Sequence, residues 1–176
     1  MVEDAIRIAK LADLGTSPTL QARLDAIFLQ ASGRTFASGS ERDAFRQRRR
    51  AIDHPIHGVW AIVDRETGSL FGNLLLKPAP LSIETTGDAP VEIGWHLHPD
   101  AQGAGYATEA AGAVMADASQ NGLSTVIAVI DPRNTASQRV CFRLGMESQY
   151  SCKTGRPLQQ QSMATGEVRQ YSKPAC

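Results

Sequence analysis

The sequence predicts a mixed α/β fold in a single domain over residues 1–176. Three observations carry that expectation. Two β-rich runs, GVWAIVD and LFGNLLLKP, flank the turn-forming RETG. Beyond them, strand-like and helix-like patterns alternate to the end of the chain. Between these lies EIGWHLHPDAQGAGYATEA, in which an alternating run ends at a proline. A Gly-x-Gly follows and leads straight into an Ala-rich helical pattern.

The elements follow in order. Ala5 to Lys10 alternates and predicts a short first strand. From Pro18 to Leu29, the residues Leu20, Leu24, Ile27 and Phe28 recur at helical spacing behind a Thr-Ser-Pro start. The Gly/Ser-rich ASGRTFASGS is a connection. Ser40 is the expected N-cap of a second helix, ERDAFRQRRRAID, which must end before Pro55. The hairpin follows, then a polar excursion, APLSIETTGDA. PVEIGWHL is the next strand and GYATEAAGAVMADASQNG a long helix. Its Ala107, Ala110, Ala111, Val114 and Ala118 form a small apolar stripe suited to close packing on a sheet. Gly122 is the expected C-terminal cap. STVIAVI is a β-branched strand, NTASQRVCFRLG a helix with Val140 and Leu144 on one face, and the tail two strands around a polar loop.

Composition narrows the function classes. Lys and Arg number 18 against 18 Asp and Glu, so the global basic excess of a general nucleic-acid binder is absent. Three cysteines, widely spaced and odd in number, form neither a disulfide framework nor a zinc site. The N-terminal MVEDAIRIAK lacks the apolar core of a signal peptide, and no run reaches the roughly 20 apolar residues of a membrane span. The expectation is a cytoplasmic protein with no membrane partner.

A strand that ends in a glycine loop opening a helix suits a phosphate. The first helical turn has free backbone N–H groups and about half a positive charge from the macrodipole. Gly103 and Gly105 remove side chains that would block the approach and tolerate positive φ. The same pair also serves plain turn geometry, so the pattern alone leaves both readings open. No Lys follows Gly105, which excludes a P-loop. GAGYAT places Thr108 where the dinucleotide fingerprint needs Gly or Ala, and no acidic residue follows about twenty positions on.

Gln102-Gly103-Ala104-Gly105-Tyr106-Ala107 resembles the acetyl-CoA loop of the GNAT N-acetyltransferases, [Q/R]-x-x-G-x-[G/A]. The surrounding VEIGWHLHPDAQGAGYATEA and the later DPRNTASQRVCFRLGM resemble the branch that includes the Rim-type ribosomal-protein acetyltransferases. The likeness is strong from Val59 to Met146 and weak before Ala51 and after Cys152. It implies a mostly antiparallel mixed sheet with splayed central strands and helices on both faces. It also implies acetyl-CoA as co-substrate, with pantetheine lying between strands Val91–Leu97 and Thr125–Ile130 and meeting backbone as far as Leu97. Gln102, Gly103, Ala104, Gly105, Tyr106 and Ala107 would form the pyrophosphate loop, and Asn134 would sit beside the pantetheine. By its sequence context Asn134 is equally a helix N-cap.

The acceptor implied is a primary amine, either a protein N-terminal α-amine or a small-molecule amine such as an antibiotic. A non-catalytic acyl-CoA-binding module is the rival reading. Glu92 is the candidate base, on the strand face shared with Gly94 and His96; alternatively it pairs with a basic neighbour or orients substrate. Ser137, three residues after Asn134, is the candidate acid, because Cys141 stands where many relatives carry a tyrosine. Cys141 reads as packing. His54, His57, His96 and His98 lack acidic or cysteine partners at ligand spacing, so no metal is expected. His96 near the thioester is a secondary candidate. Arg46, Arg48, Arg49 and Arg50 read as a solvated face, with an acidic partner such as RNA or a CoA phosphate as the sharper alternative, and Trp60 and Trp95 read as core ahead of substrate contact. A homodimer would fit the resemblance, but no interface signal stands out.

Overall fold

The structure, a computed structural model, describes residues 5–15, 17–32, 35–52, 54–78, 91–153 and 167–174, with the backbone alone for 32, 149–153 and 167–174. Strand β1 (Ile6–Lys10) leads through a 3₁₀ turn (Leu11–Asp13) into α1 (Pro18–Ser32) and α2 (Gly39–Arg50). The hairpin β2 (Gly58–Asp64) and β3 (Leu70–Pro78) comes next. Then follow β4 (Val91–Leu97), α3 (Tyr106–Gln120), β5 (Thr125–Ile130), α4 (Thr135–Arg143), β6 (Glu147–Lys153) and β7 (Glu167–Pro174). One sheet runs in the order β1-β2-β3-β4-β5-β7-β6. Every pairing is antiparallel except β4 with β5, which are parallel because α3 carries the chain across between them. The sequence-predicted order of elements is therefore observed. The polar excursion at 79–90 and the tail loop at 154–166 lie outside the described residues.

The sheet has a helical layer on each face. Trp60, Ile62, Leu74, Leu76, Val91 and Ile93 share one core with Ala110, Ala111, Val114 and Ala118 of α3 and with Cys141 and Leu144 of α4. The predicted alanine stripe is thus the contact surface of α3, and small side chains let the helix lie close. On the other face Val59, Ala61, Val63 and Leu70 pack with Leu11 and with Leu20, Leu24 and Ile27 of α1. Strand alternation explains the division: odd positions of β4 enter the α3 core, while even positions, including Glu92 and His96, face α1 and α2.

Helix ends follow local chemistry. Both α3 and α4 close with Schellman geometry. Leu123 N donates to Ala118 O and Gly122 N to Ser119 O; Met146 N donates to Cys141 O and Gly145 N to Phe142 O. Gly122 caps as its position predicted. The N-cap of α2 is Ser38, not Ser40. Ser38 Oγ accepts from Glu41 N at 3.1 Å, and the Glu41 carboxylate accepts from Ala37 N at 2.6 Å. The two residues form a near-reciprocal box that Ser40 lacks the following Glu or Gln to make.

A bulge shapes the end of β3 beside the glycine loop. Ile62 pairs with Gly72 but Val63 with Leu70, so Phe71 is an extra residue in β3. The consequence is a tight meeting of β3 and β4. A Cβ on Gly72 would lie 2.5 Å from His96 O and 2.5 Å from Leu97 Cδ2. Only glycine permits that approach.

Candidate functional site

The site begins where two strands part. Parallel β4 and β5 pair only at Val91 with Val126 and Glu92 with Ile127. Beyond Glu92, β4 continues to Leu97 with no β5 partner, so a cleft opens toward the glycine loop. Over those five residues the strand advances about 17 Å. Backbone groups of β4 that would serve a neighbouring strand face this cleft.

The cleft ends at the loop before α3. Gly103 and Gly105 have φ of 83° and 93°, left-handed values that glycine adopts without strain. Apart from the glycine itself and its chain neighbours, no atom of the described residues lies within 4 Å of where a Cβ would stand on either. Positive φ, rather than crowding by the protein, is what selects glycine here. Gly105 is the N-cap of α3, and its carbonyl accepts from Thr108 N and Glu109 N. A glycine cap supplies no side-chain acceptor, so the N–H groups of Tyr106 and Ala107 stay open to a ligand. They point from the positive end of a 15-residue helix.

Side chains hold the loop in place. Gln102 Nε2 donates to Leu97 O at 3.3 Å, tying the loop to the end of β4. Tyr106 stacks on Phe71, with ring centroids 4.8 Å apart and planes at 19°. That stack uses the residue the bulge re-aims. From the opposite face, Arg23 of α1 donates to Leu70 O at 2.6 Å and to the Asp100 carboxylate at 3.0 and 3.1 Å. His98 Nδ1 lies 2.7 Å from the same carboxylate. The Arg23 hydrogen bonds are the main reason the Asp100 carboxyl sits below its usual pKa.

A protein-family model described as "Acetyltransferase (GNAT) domain" matches residues 11–147. The chain belongs to the GNAT acetyltransferases. The match includes α1 and α2, where the sequence likeness is faint. Solved structures share the fold across nearly the whole chain. A GNAT-family acetyltransferase from Bacillus anthracis has 19% identity and a TM-score of 0.70, covering 97% of this chain and 95% of its own. A ribosomal-protein-S5-alanine acetyltransferase from Vibrio fischeri has 17% identity and a TM-score of 0.71, covering 97% and 92%. A GNAT superfamily phosphinothricin acetyltransferase from Sinorhizobium meliloti, solved in complex with AcCoA, has 19% identity and a TM-score of 0.71, covering 98% and 89%. At these identities the likeness is one of fold.

Within this GNAT fold the other sequence-selected residues fall as follows. Asn134 is the N-cap of α4: its Oδ1 accepts from Ser137 N at 3.0 Å. Its amide NH₂ remains uncommitted among the described residues. The loop before it is braced by Asp131, whose carboxyl is lowered to about 2, chiefly by the Arg133 side-chain hydrogen bond. Asn134 N also donates to Asp131 O at 2.8 Å. Ser137 lies one turn into α4, half-buried, and its hydroxyl has no partner among the described residues. Glu92 stands at the closed end of the splay. Its Oε2 is 3.5 Å from Lys77 Nζ, the cross-strand neighbour in β3. The basic neighbour envisaged from sequence is therefore present.

Cys141 is wholly buried under α4, and burial pushes its thiol up to about 12. It is packing, not a nucleophile. Trp60 is core as expected, and Trp95 packs against the same cluster. Among the described residues no three His, Cys, Asp or Glu side chains group so as to hold a metal ion. No helix among them is long and apolar enough to cross a membrane.

The arginine run departs from the expected solvated face. Arg46 binds Asp25 of α1 at 2.6 Å, and Arg50 donates to Leu14 O and Gly15 O at 2.7 and 3.1 Å. Arg49 lies over the Phe45 ring at 4.6 Å. Arg48 alone of the four is exposed. Sequence reasoning also passed over Gly72, Asn73 and Arg23. A Gly-Asn pair inside the apolar run LFGNLLL was the available signal for the first two. Nothing local marks Arg23, whose partners are 47 and 77 residues away.

Proposed function

We propose that this chain transfers the acetyl group of acetyl-CoA directly to the nitrogen of a primary amine. The observation that carries the proposal is the splay of β4 from β5 running into an open helix N-terminus. An extended pantetheine arm needs a cleft with exposed strand backbone, and a pyrophosphate needs donors at its end. Gln102, Gly103, Ala104, Gly105, Tyr106 and Ala107 hold the diphosphate. Backbone as far as Leu97 lines the arm, and the Asn134 amide NH₂ flanks it.

The thioester then lies toward the closed end, near Glu92. The amine nitrogen forms a bond to the acetyl carbon, the C–S bond breaks, and the amine proton leaves. Glu92 takes that proton through a water, with Lys77 holding the carboxylate in place. Ser137 donates a hydrogen bond to the departing sulfur. An α-amine, with pKa about 7.7–8.0, needs less help from such a base than a lysine amine at about 10.4. That difference, and the likeness to the Rim-type motifs, favour an α-amine acceptor.

The test is CoA-thiol release from acetyl-CoA over a panel of amines: N-terminal peptides, free amino acids, polyamines and aminoglycosides. Turnover with one class supports transfer and assigns the acceptor. Tight acetyl-CoA binding with no release across the panel would favour the acyl-CoA-binding module instead.

A further inference from the structure

The face of the sheet beneath α1 and α2 contains a small cavity of about 40 Å³. That is room for a carboxylate-sized group or a few waters. It is lined by Asn73 and His96, which are cross-strand partners in β3 and β4, and by Phe28, Phe45 and Arg49. Asn73 is only 4% exposed, yet its Oδ1 has no hydrogen-bond partner. A buried orphan acceptor is uncommon and needs a reason.

The charges around the cavity are unbalanced. Asp25, Arg46, Arg49 and Arg50 all line it. Asp25 is engaged by Arg46 at 2.6 Å, and Arg50 is engaged by backbone carbonyls. Arg49 has no carboxylate partner among the described residues; Phe45 carries its guanidinium face. Burial disfavours its charged form, the penalty expected of a cation without a counter-ion. His96 is held neutral, lowered to about 4, first by burial and then by repulsion from Arg49 and Lys77. The cavity thus presents a cation, a neutral imidazole and an unmet acceptor, on the strand face shared by Glu92.

We propose that this cavity binds the anionic end of the acceptor, so that the amine acetylated is a small molecule carrying a carboxylate, with Arg49 as the specificity-determining residue. Arg49 pairs with the carboxylate in the fork geometry guanidinium favours. Asn73 Oδ1 accepts an N–H or O–H from the same ligand. The inference rests on the acetyl-transfer reading and narrows its acceptor to amines that keep a free carboxylate, which an internal peptide bond removes.

The experiment compares di- and tripeptides with a free C-terminus and long ω-amino acids, whose amine and carboxylate can span up to the roughly 13 Å from Glu92 to His96 along β4, with their carboxamides, in the full chain and in Arg49→Gln and Arg49→Lys. The expected result is a preference for the acids in kcat/KM of about 10- to 100-fold, the size of a charge-assisted pair. Arg49→Gln should lose that preference, with kcat/KM falling much further for the acids than for the carboxamides, and Arg49→Lys should restore part of it. A binding arm uses the N-acetylated acids and N-acetylated carboxamides as probes by calorimetry, so a readout survives even without turnover. Equal handling of acids and amides by the parent, in turnover and in binding, would overturn the proposal. So would equal losses for both in Arg49→Gln. Failure of acetyl-CoA itself to bind would strike the underlying reading, and the probe titration would still judge the cavity.

Discussion

The two flanks of β4 present groups of different kinds. Toward α3, the loop offers main chain: positive φ at Gly103 and Gly105, and open N–H groups at the start of the helix. Toward α1 and α2, the surface offers side chains: Arg49, Asn73 and His96 around a cavity. Main-chain recognition leaves a mark in the sequence, because only glycine tolerates the required geometry. Side-chain recognition leaves none, because any arginine on α2 is the same letter whether it points at solvent, at Asp25 or into a cavity.

The sharpest break of the comparison is at Gly72, where the flanks meet. A valine there would drive a Cβ to 2.5 Å from His96 O, a backbone atom that cannot step aside. Overpacking of this kind lies at the upper end of its range, about 3 kcal/mol. Thermal unfolding should drop by roughly 10 °C for a chain of this size. A drop of a degree or less would mean the two strands are not locked together.

Glu92→Gln tests whether the acceptor flank also holds the chemistry. Turnover should fall about 100-fold, the lower range for a lost general base, with acetyl-CoA affinity unchanged. An unchanged kcat would return Glu92 to the role of partner for Lys77.

A smaller effect is expected from His96 as pH falls. Its folded pKa, about 4, lies below the unfolded value of about 6.5. Between those values the unfolded chain binds the extra proton, so stability rises with pH and is lost as pH falls from about 6.5 toward 4. The full shift corresponds to about 3 kcal/mol at most, spread over that pH window. His57 is lowered in the same direction. Denaturant unfolding of His96→Gln against the parent isolates the larger share: the variant's curve should be flatter in that window. Parallel curves would place His96 in water.

The smallest effect is expected at Cys141. With its thiol near 12 and no exposed surface, it should resist iodoacetamide at pH 8 in the folded chain and react only in denaturant. Rapid labelling in the native state would show that α4 opens away from the sheet.

Legibility in the sequence follows the same division. The order of strands and helices, the alanine stripe of α3 and the cap at Gly122 were readable because each depends on residues within a turn or two. So was the N-cap reading of Asn134, whose capping bond to Ser137 is local. Ser38 was missed in favour of Ser40, although the Glu three residues later was the decisive local signal. Other features were beyond any local reading. Gly72 matters only because a bulge at Phe71 brings β3 against Leu97. Arg23 matters only because α1 folds over Leu70 and Asp100. Arg46, Arg49 and Arg50 acquire three different roles from one basic run because α2 rotates each toward a different neighbour.

The central claim is that the loop after β4 binds a diphosphate through its backbone. Calorimetric titration with acetyl-CoA, of the parent and of Gly105→Glu, tests it most directly. The variant places an anion at the helix N-terminus and forces a side chain onto a φ of 93°. The account predicts micromolar binding by the parent and its loss in a variant that remains folded by circular dichroism. Equal binding by both proteins, or none by the parent, would contradict it.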